Sequence, residues 1–126
     1  MKIKLVQLIN ANQVLGKLNG THGLTAVCAF SIAKNIKKIA AELEAYEETR
    51  KKLLEEKADK DEKGKAIIEE GNYKLSPEAT QEVFEEINQL QQNEIDLDLT
   101  KIQIEELNSA DLTPQELFAV EFMIKE

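Results

Sequence analysis

The chain has 126 residues, 32% of them charged and 5% aromatic, with no Trp and a net charge of −8. That length suits one domain, and so much charge beside so few aromatics implies solvated helix surface rather than a thick core. Excluded on the same grounds are direct nucleic-acid binding, which draws its affinity from Lys and Arg displacing counterions, a membrane span of about 20 apolar residues, and a disulfide framework, since Cys28 is the one cysteine.

The first segment, Lys2 to Ile9, sets Ile3 and Leu5 at period two and predicts a strand, although Leu5, Leu8 and Ile9 also suit a helix. Asn10 or Asn12 can cap a short helix through Leu18, closed by Asn19-Gly20. The opening run is broken by Gln7, Asn10 and Asn12, so no signal peptide is expected, and the sequon at Asn19 is read as coincidental.

From about Leu24 to about Lys57 neither proline nor glycine interrupts the chain, and a single long helix of about 50 Å is predicted. Along it Ile32, Ile36, Ile39, Leu43 and Tyr46 step by four and three, and the pattern continues through Arg50 to Leu53. That spacing is the 3.5-residue repeat of a coiled-coil seam. Beyond it, Glu70-Gly71-Asn72 between two short apolar stretches suggests a small hairpin, and Ser76-Pro77 is a helix start. The helix that follows carries Val83, Ile87 and Leu90 at the same spacing, so it is expected to return along the long helix in an antiparallel hairpin.

Period two returns in EIDLDLTKIQIEEL, Glu94 to Leu107, read as one bent strand or two short ones able to pair with the N-terminal strand. The last segment holds a Thr113-x-x-Glu116 capping box with Pro114 at the first helical position, predicting a final helix through Ile124. Ile3, Leu5, Leu8, Val27, Ile32, Leu97, Ile102, Ile104, Leu117 and Val120 are the expected core of the base.

Catalytic chemistry finds little support. The one histidine, His22, lies six residues before Cys28, a pairing that the sequence permits without implying. Two such residues cannot furnish a structural zinc site, and no glycine-rich phosphate loop occurs. Asp59, Asp61, Gly64 and Glu70 fall at positions 1, 3, 6 and 12 of a calcium loop, but Lys63 occupies a ligand position and Gly71-Asn72 follow where a helix is required. The default there is a solvated turn. Cofactors are expected to be none, and the reading is of a protein without enzymatic activity.

With KLVQLINA near the start, AFSIAKNIKKIAAELEAYEETRKKL in the middle, DEKGK and EEGNYKL in the turn region and IQIEEL followed by LTPQELFAVEFMI at the end, the chain resembles a family of small, functionally uncharacterised proteins encoded by bacteriophages and prophages of Gram-positive bacteria. The resemblance covers nearly the whole chain and brings no catalytic residues with it. It implies expression in the host bacterial cytoplasm, or incorporation in the virion, and an accessory or assembly role.

The expected fold is α+β and mostly helical, a single domain whose helical-hairpin arm (36–93) with a β-tip stands on a base (1–35 and 94–126) of two or three strands and short helices. Contacts with protein partners, phage or host, or with further copies of the chain, are expected through Ile39, Leu43, Tyr46 and Leu53 on the seam and Phe118 and Phe122 on the last helix. An alternative is inhibition of a host nuclease or other enzyme through the acidic faces Glu42/Glu44/Glu47/Glu48 and Glu82/Glu85/Glu86.

Overall fold

The structure, a computed structural model describing residues 1–125, is mostly helical with a few short strands and no closed sheet. The chain divides into two compact units, one of Met1–Leu43 with the chain from Asn93 onward, the other of Glu44–Gln92.

In the first unit, β1 (Lys2–Lys4) passes directly into α1 (Leu5–Asn19). The expected strand through Ile9 is therefore corrected to three residues. Leu5, Leu8, Ala11, Leu15 and Leu18 recur at helical spacing and are all buried, so burial along a helical face outweighs the brief alternation at Ile3 and Leu5. The Gln7 side chain fixes the start by accepting the Lys4 N–H at 2.9 Å, leaving Asn10 and Asn12 inside the helix rather than capping it.

The long helix, α2 (Ala26–Lys57), follows a loop in which Thr25 Oγ1 accepts the Cys28 N–H at 3.2 Å, a side-chain cap. Its first part contributes Cys28, Ile32, Asn35 and Ile39 to the buried interior. Val27 faces the other way and is 74% exposed, against its expected place in the core.

The segment read as strand from Glu94 to Leu107 is strand only at β4 (Glu94–Asp96) and β5 (Ile102–Gln103). β4 pairs antiparallel with β1, Ile95 opposite Ile3, as the sequence suggested. Ile104–Ala110 is a 3-10 turn that buries Leu107 and Ala110 and leaves Ile104 exposed. The final helix is shorter than expected: α4 spans Pro114–Ala119, and after a 3-10 turn at Glu121–Met123 the chain becomes β6 (Ile124–Lys125), parallel to β5. The tightened turn brings Val120 and Met123 both into the core, each 0% exposed. Leu117 is only half-buried.

In the second unit, β2 (Ile68–Glu69) and β3 (Asn72–Tyr73) pair antiparallel around Glu70 and Gly71, both at positive φ. Helix α3 (Pro77–Gln91) starts as predicted, with Ser76 Oγ accepting the Ala79 N–H at 3.1 Å and Pro77 in the first turn. Side-chain contacts link the pieces of this unit: Gln91 Nε2 donates to the Tyr46 hydroxyl at 3.0 Å, Lys57 pairs with Glu82 at 3.1 Å, and the Tyr73 hydroxyl donates to Glu55 at 2.7 Å. The last bond holds the Tyr73 phenol above its ordinary pKa.

Candidate functional site

In the first unit α1 and α4 flank an open groove of about 790 Å³. On α1, Gln7, Asn10 and Gln13 recur every three residues along the exposed side of the helix, and Val14 lies at the groove's floor. The other wall carries Gln115, Phe118 and Phe122. Phe118 is 76% exposed, which makes it an unusual investment of apolar surface in water, and Phe122 is half-buried.

The capping box positions this wall. Thr113 Oγ1 accepts the Glu116 N–H at 3.1 Å, and Glu116 Oε1 accepts the Thr113 N–H at 3.0 Å. Lys17, in the last turn of α1, reaches across to Glu116 at 3.2 Å and to the Asp111 carbonyl at 3.2 Å. The Thr113 backbone bond, then the Lys17 bond, hold the Glu116 carboxyl below the usual carboxylate range. Glu121, the other acid lining the groove, has no ion-pair partner among the described residues.

The remaining sequence-predicted contact residues lie elsewhere. Ile39 and Tyr46 are 1% and 7% exposed, and Leu43 and Leu53 are half-buried. Tyr46, expected at the surface, is thus covered in the single chain. Val27 and Phe30, read from the sequence as part of the apolar start of the long helix where it enters the core, are exposed, Phe30 65% so with Lys34 Nζ 5.1 Å from its ring centroid. Their spacing of three, followed by Lys34 and Lys37, was the available signal for an outward stripe. On α3, Phe84 is 71% exposed.

The catalytic candidates are not assembled. Cys28 is fully buried while His22 is exposed in the loop before α2. Desolvation, and secondarily the nearby Glu106, push the Cys28 thiol up, away from the reactive thiolate. In the calcium-loop segment one Asp61 oxygen accepts the N–H groups of Lys63 and Lys65 at 2.9 and 3.0 Å, an internally satisfied turn. Among the described residues no group of three or more His, Cys, Asp or Glu side chains is placed to hold a metal ion, and no helix is long and apolar enough to cross a membrane.

Comparison with protein-family models, with curated proteins and with solved structures finds no match to this chain.

Proposed function

We propose that this protein is a non-catalytic interaction module that docks protein partners through the groove between α1 and α4. The observation that carries the reading is Phe118, a large apolar side chain 76% exposed on the wall of a defined groove. Interface centres are enriched in such aromatic anchors, with uncharged polar groups around them, and the amides of Gln7, Asn10 and Gln13 supply that surround. Accessory or assembly work in a bacteriophage, in the host cytoplasm or the virion, rests on the sequence resemblance.

A helical-hairpin arm belongs to the same proposal. The order of contacts in the second unit supports it: Tyr46 meets Gln91, whereas Lys57, later in α2, meets Glu82, earlier in α3. Antiparallel packing of α3 on α2 accounts for both.

Incorporating a photoreactive phenylalanine analogue at position 118, with Lys63 at the tip of the second unit as the control position, tests the docking site. A discrete protein adduct from position 118 and none from position 63 is the expected result. Equal or absent labelling at the two positions overturns the reading.

Inhibition of a host enzyme is the second reading, favoured by the second unit, which holds fourteen acidic residues against eight basic ones. Helix α3 contains Glu78, Glu82, Glu85 and Glu86 and no cation. Binding through these faces to a basic cleft weakens steeply with salt, whereas docking anchored on Phe118 weakens less.

A further inference from the structure

The outward stripe of α2 and the α1/α4 groove lie in the same unit and are opposite in character. Val27, Phe30, Lys34 and Lys37 step by three, four and three, so they form one exposed stripe about 15 Å long. Its two large apolar side chains are 74% and 65% exposed, and its two lysines form no ion pair among the described residues. The groove presents Phe118 and Phe122 beside Glu121, an acid with no ion-pair partner among the described residues. An apolar and basic helix face thus has its complement in the aromatic and acidic wall of a groove whose other wall, about 10 Å long from Gln7 to Val14, carries amides.

We propose that the occupant of the groove is a second copy of this chain, whose α2 seats Val27 and Phe30 against Phe118 and Phe122 and brings Lys34 and Lys37 to Glu121. This deepens the docking reading above and rests on it. The small side chains Ala26 and Ala33, exposed on the same side of α2, let the helix backbone approach the groove walls closely. Pairing groove with groove instead would bring the Glu121 of each copy into one interface with no lysine of the stripe to balance them, which charge complementarity opposes. The contact therefore joins one surface of a copy to a different surface of the next; made reciprocally it closes a two-fold dimer, and made head to tail it closes into rings or extends into chains.

Complementation distinguishes this arrangement from any other self-association. Two variants are made, Phe118→Lys, which spoils the groove, and Val27→Lys with Phe30→Lys, which spoils the stripe; all three positions are exposed, and far-UV circular dichroism checks that each variant folds. Size exclusion with light scattering at about 0.15 M salt, where charges beyond about 8 Å are screened, is run up to about 1 mM chain. The wild type self-associates, each variant alone is monomeric, and the two mixed give a capped 1:1 dimer. Lys34→Glu with Lys37→Glu weakens association about tenfold or more, and Glu121→Lys in the partner copy restores it.

A wild type that stays monomeric, a stripe variant that still self-associates, or a mixture that fails to pair overturns the proposal. The photo-adduct at position 118 separates that failure from failure of the docking reading: an adduct with a different protein keeps the groove as a docking site and removes the second copy from it. No adduct at all removes both.

Discussion

Asn35 and Thr100 are joined by two hydrogen bonds across 65 residues of sequence: Asn35 Nδ2 donates to the Thr100 carbonyl at 2.9 Å, and the Thr100 N–H donates to Asn35 Oδ1 at 2.9 Å. Asn35 is 0% exposed. One side chain thereby satisfies both backbone groups of a residue in the irregular segment between β4 and β5, groups that no strand partner serves.

Replacing Asn35 by Leu leaves both Thr100 groups without a partner, at a cost of about 1–3 kcal/mol each. The expected loss is about 2–6 kcal/mol in urea unfolding. Asn35→Asp recovers only the bond that accepts the Thr100 N–H and leaves a carboxylate beside a carbonyl oxygen, so it should also destabilise. A Leu variant within about 0.5 kcal/mol of wild type shows that Thr100 finds other partners.

Cys28 should be inert in the folded protein. Its raised pKa means a smaller thiolate fraction at any given pH, and the thiolate is the nucleophile. Labelling with a disulfide reagent at pH 8 should proceed at the rate of opening, slowing further in the presence of stabilising solutes, and become fast in denaturant. Fast labelling of the native chain contradicts the burial.

Ile39 tests whether the four-three seam serves the single chain. At 1% exposure, Ile39→Asp puts a carboxylate in an apolar interior, which unfolds what is packed there or forces the acid to neutralise. Loss of helical signal in circular dichroism is expected. A folded monomer with full helicity indicates instead a seam between chains.

How much of this was legible in the sequence depended on whether the determinant was local. Ser76-Pro77 and Thr113-x-x-Glu116 carry their caps within four residues, and both helix starts stand where the sequence put them. The Glu70-Gly71 turn was equally local. The parallel pairing of Ile102 with Ile124 is not written near either residue, so the last segment reads as a continuing helix until its partner strand is known. On α2 the buried positions Cys28, Ile32, Asn35 and Ile39 step by four, three and four. Reading Ile36 in place of Asn35 came from preferring an apolar residue to a polar one, and it hid the clasp on Thr100. Phe118 was singled out, with Phe122, by a spacing of four on the last helix, whereas Gln7, the first of the amides on α1, was hidden once Lys2 to Ile9 was read as strand.

Glu116 makes the groove wall sensitive to acid. Its carboxyl has a folded-state pKa below the ordinary value, so in that window the unfolded chain binds more protons and stability rises with pH. The contribution is complete above the ordinary carboxylate pKa and is lost as pH falls through the depressed one. Glu116→Gln should therefore lower Tm at neutral pH, and the difference from wild type should shrink through the acid range and vanish below the folded-state value. A difference that stays constant with pH places the effect in packing rather than in the charge.

The turn between β2 and β3 offers a local test of backbone conformation. Glu70 and Gly71 have φ of 52° and 80°, and Glu69 pairs with Asn72 across them, the two-residue loop in which both central residues occupy the left-handed region. Glycine adopts that region freely, Asn tolerates it and Glu does so at some cost. Glu70→Asn should then stabilise the second unit by roughly 0.5 kcal/mol. Gly71→Ala should destabilise it by about 1–2 kcal/mol, and because nothing lies within 4 Å of the added Cβ, that cost is backbone strain alone. Amide exchange at Lys74, whose N–H donates to the Ile67 carbonyl at 2.9 Å beside the small ladder, reports both changes locally. Slower exchange in Glu70→Asn and faster exchange in Gly71→Ala are expected; a neutral Gly71→Ala means that the turn can be made with a negative φ at position 71.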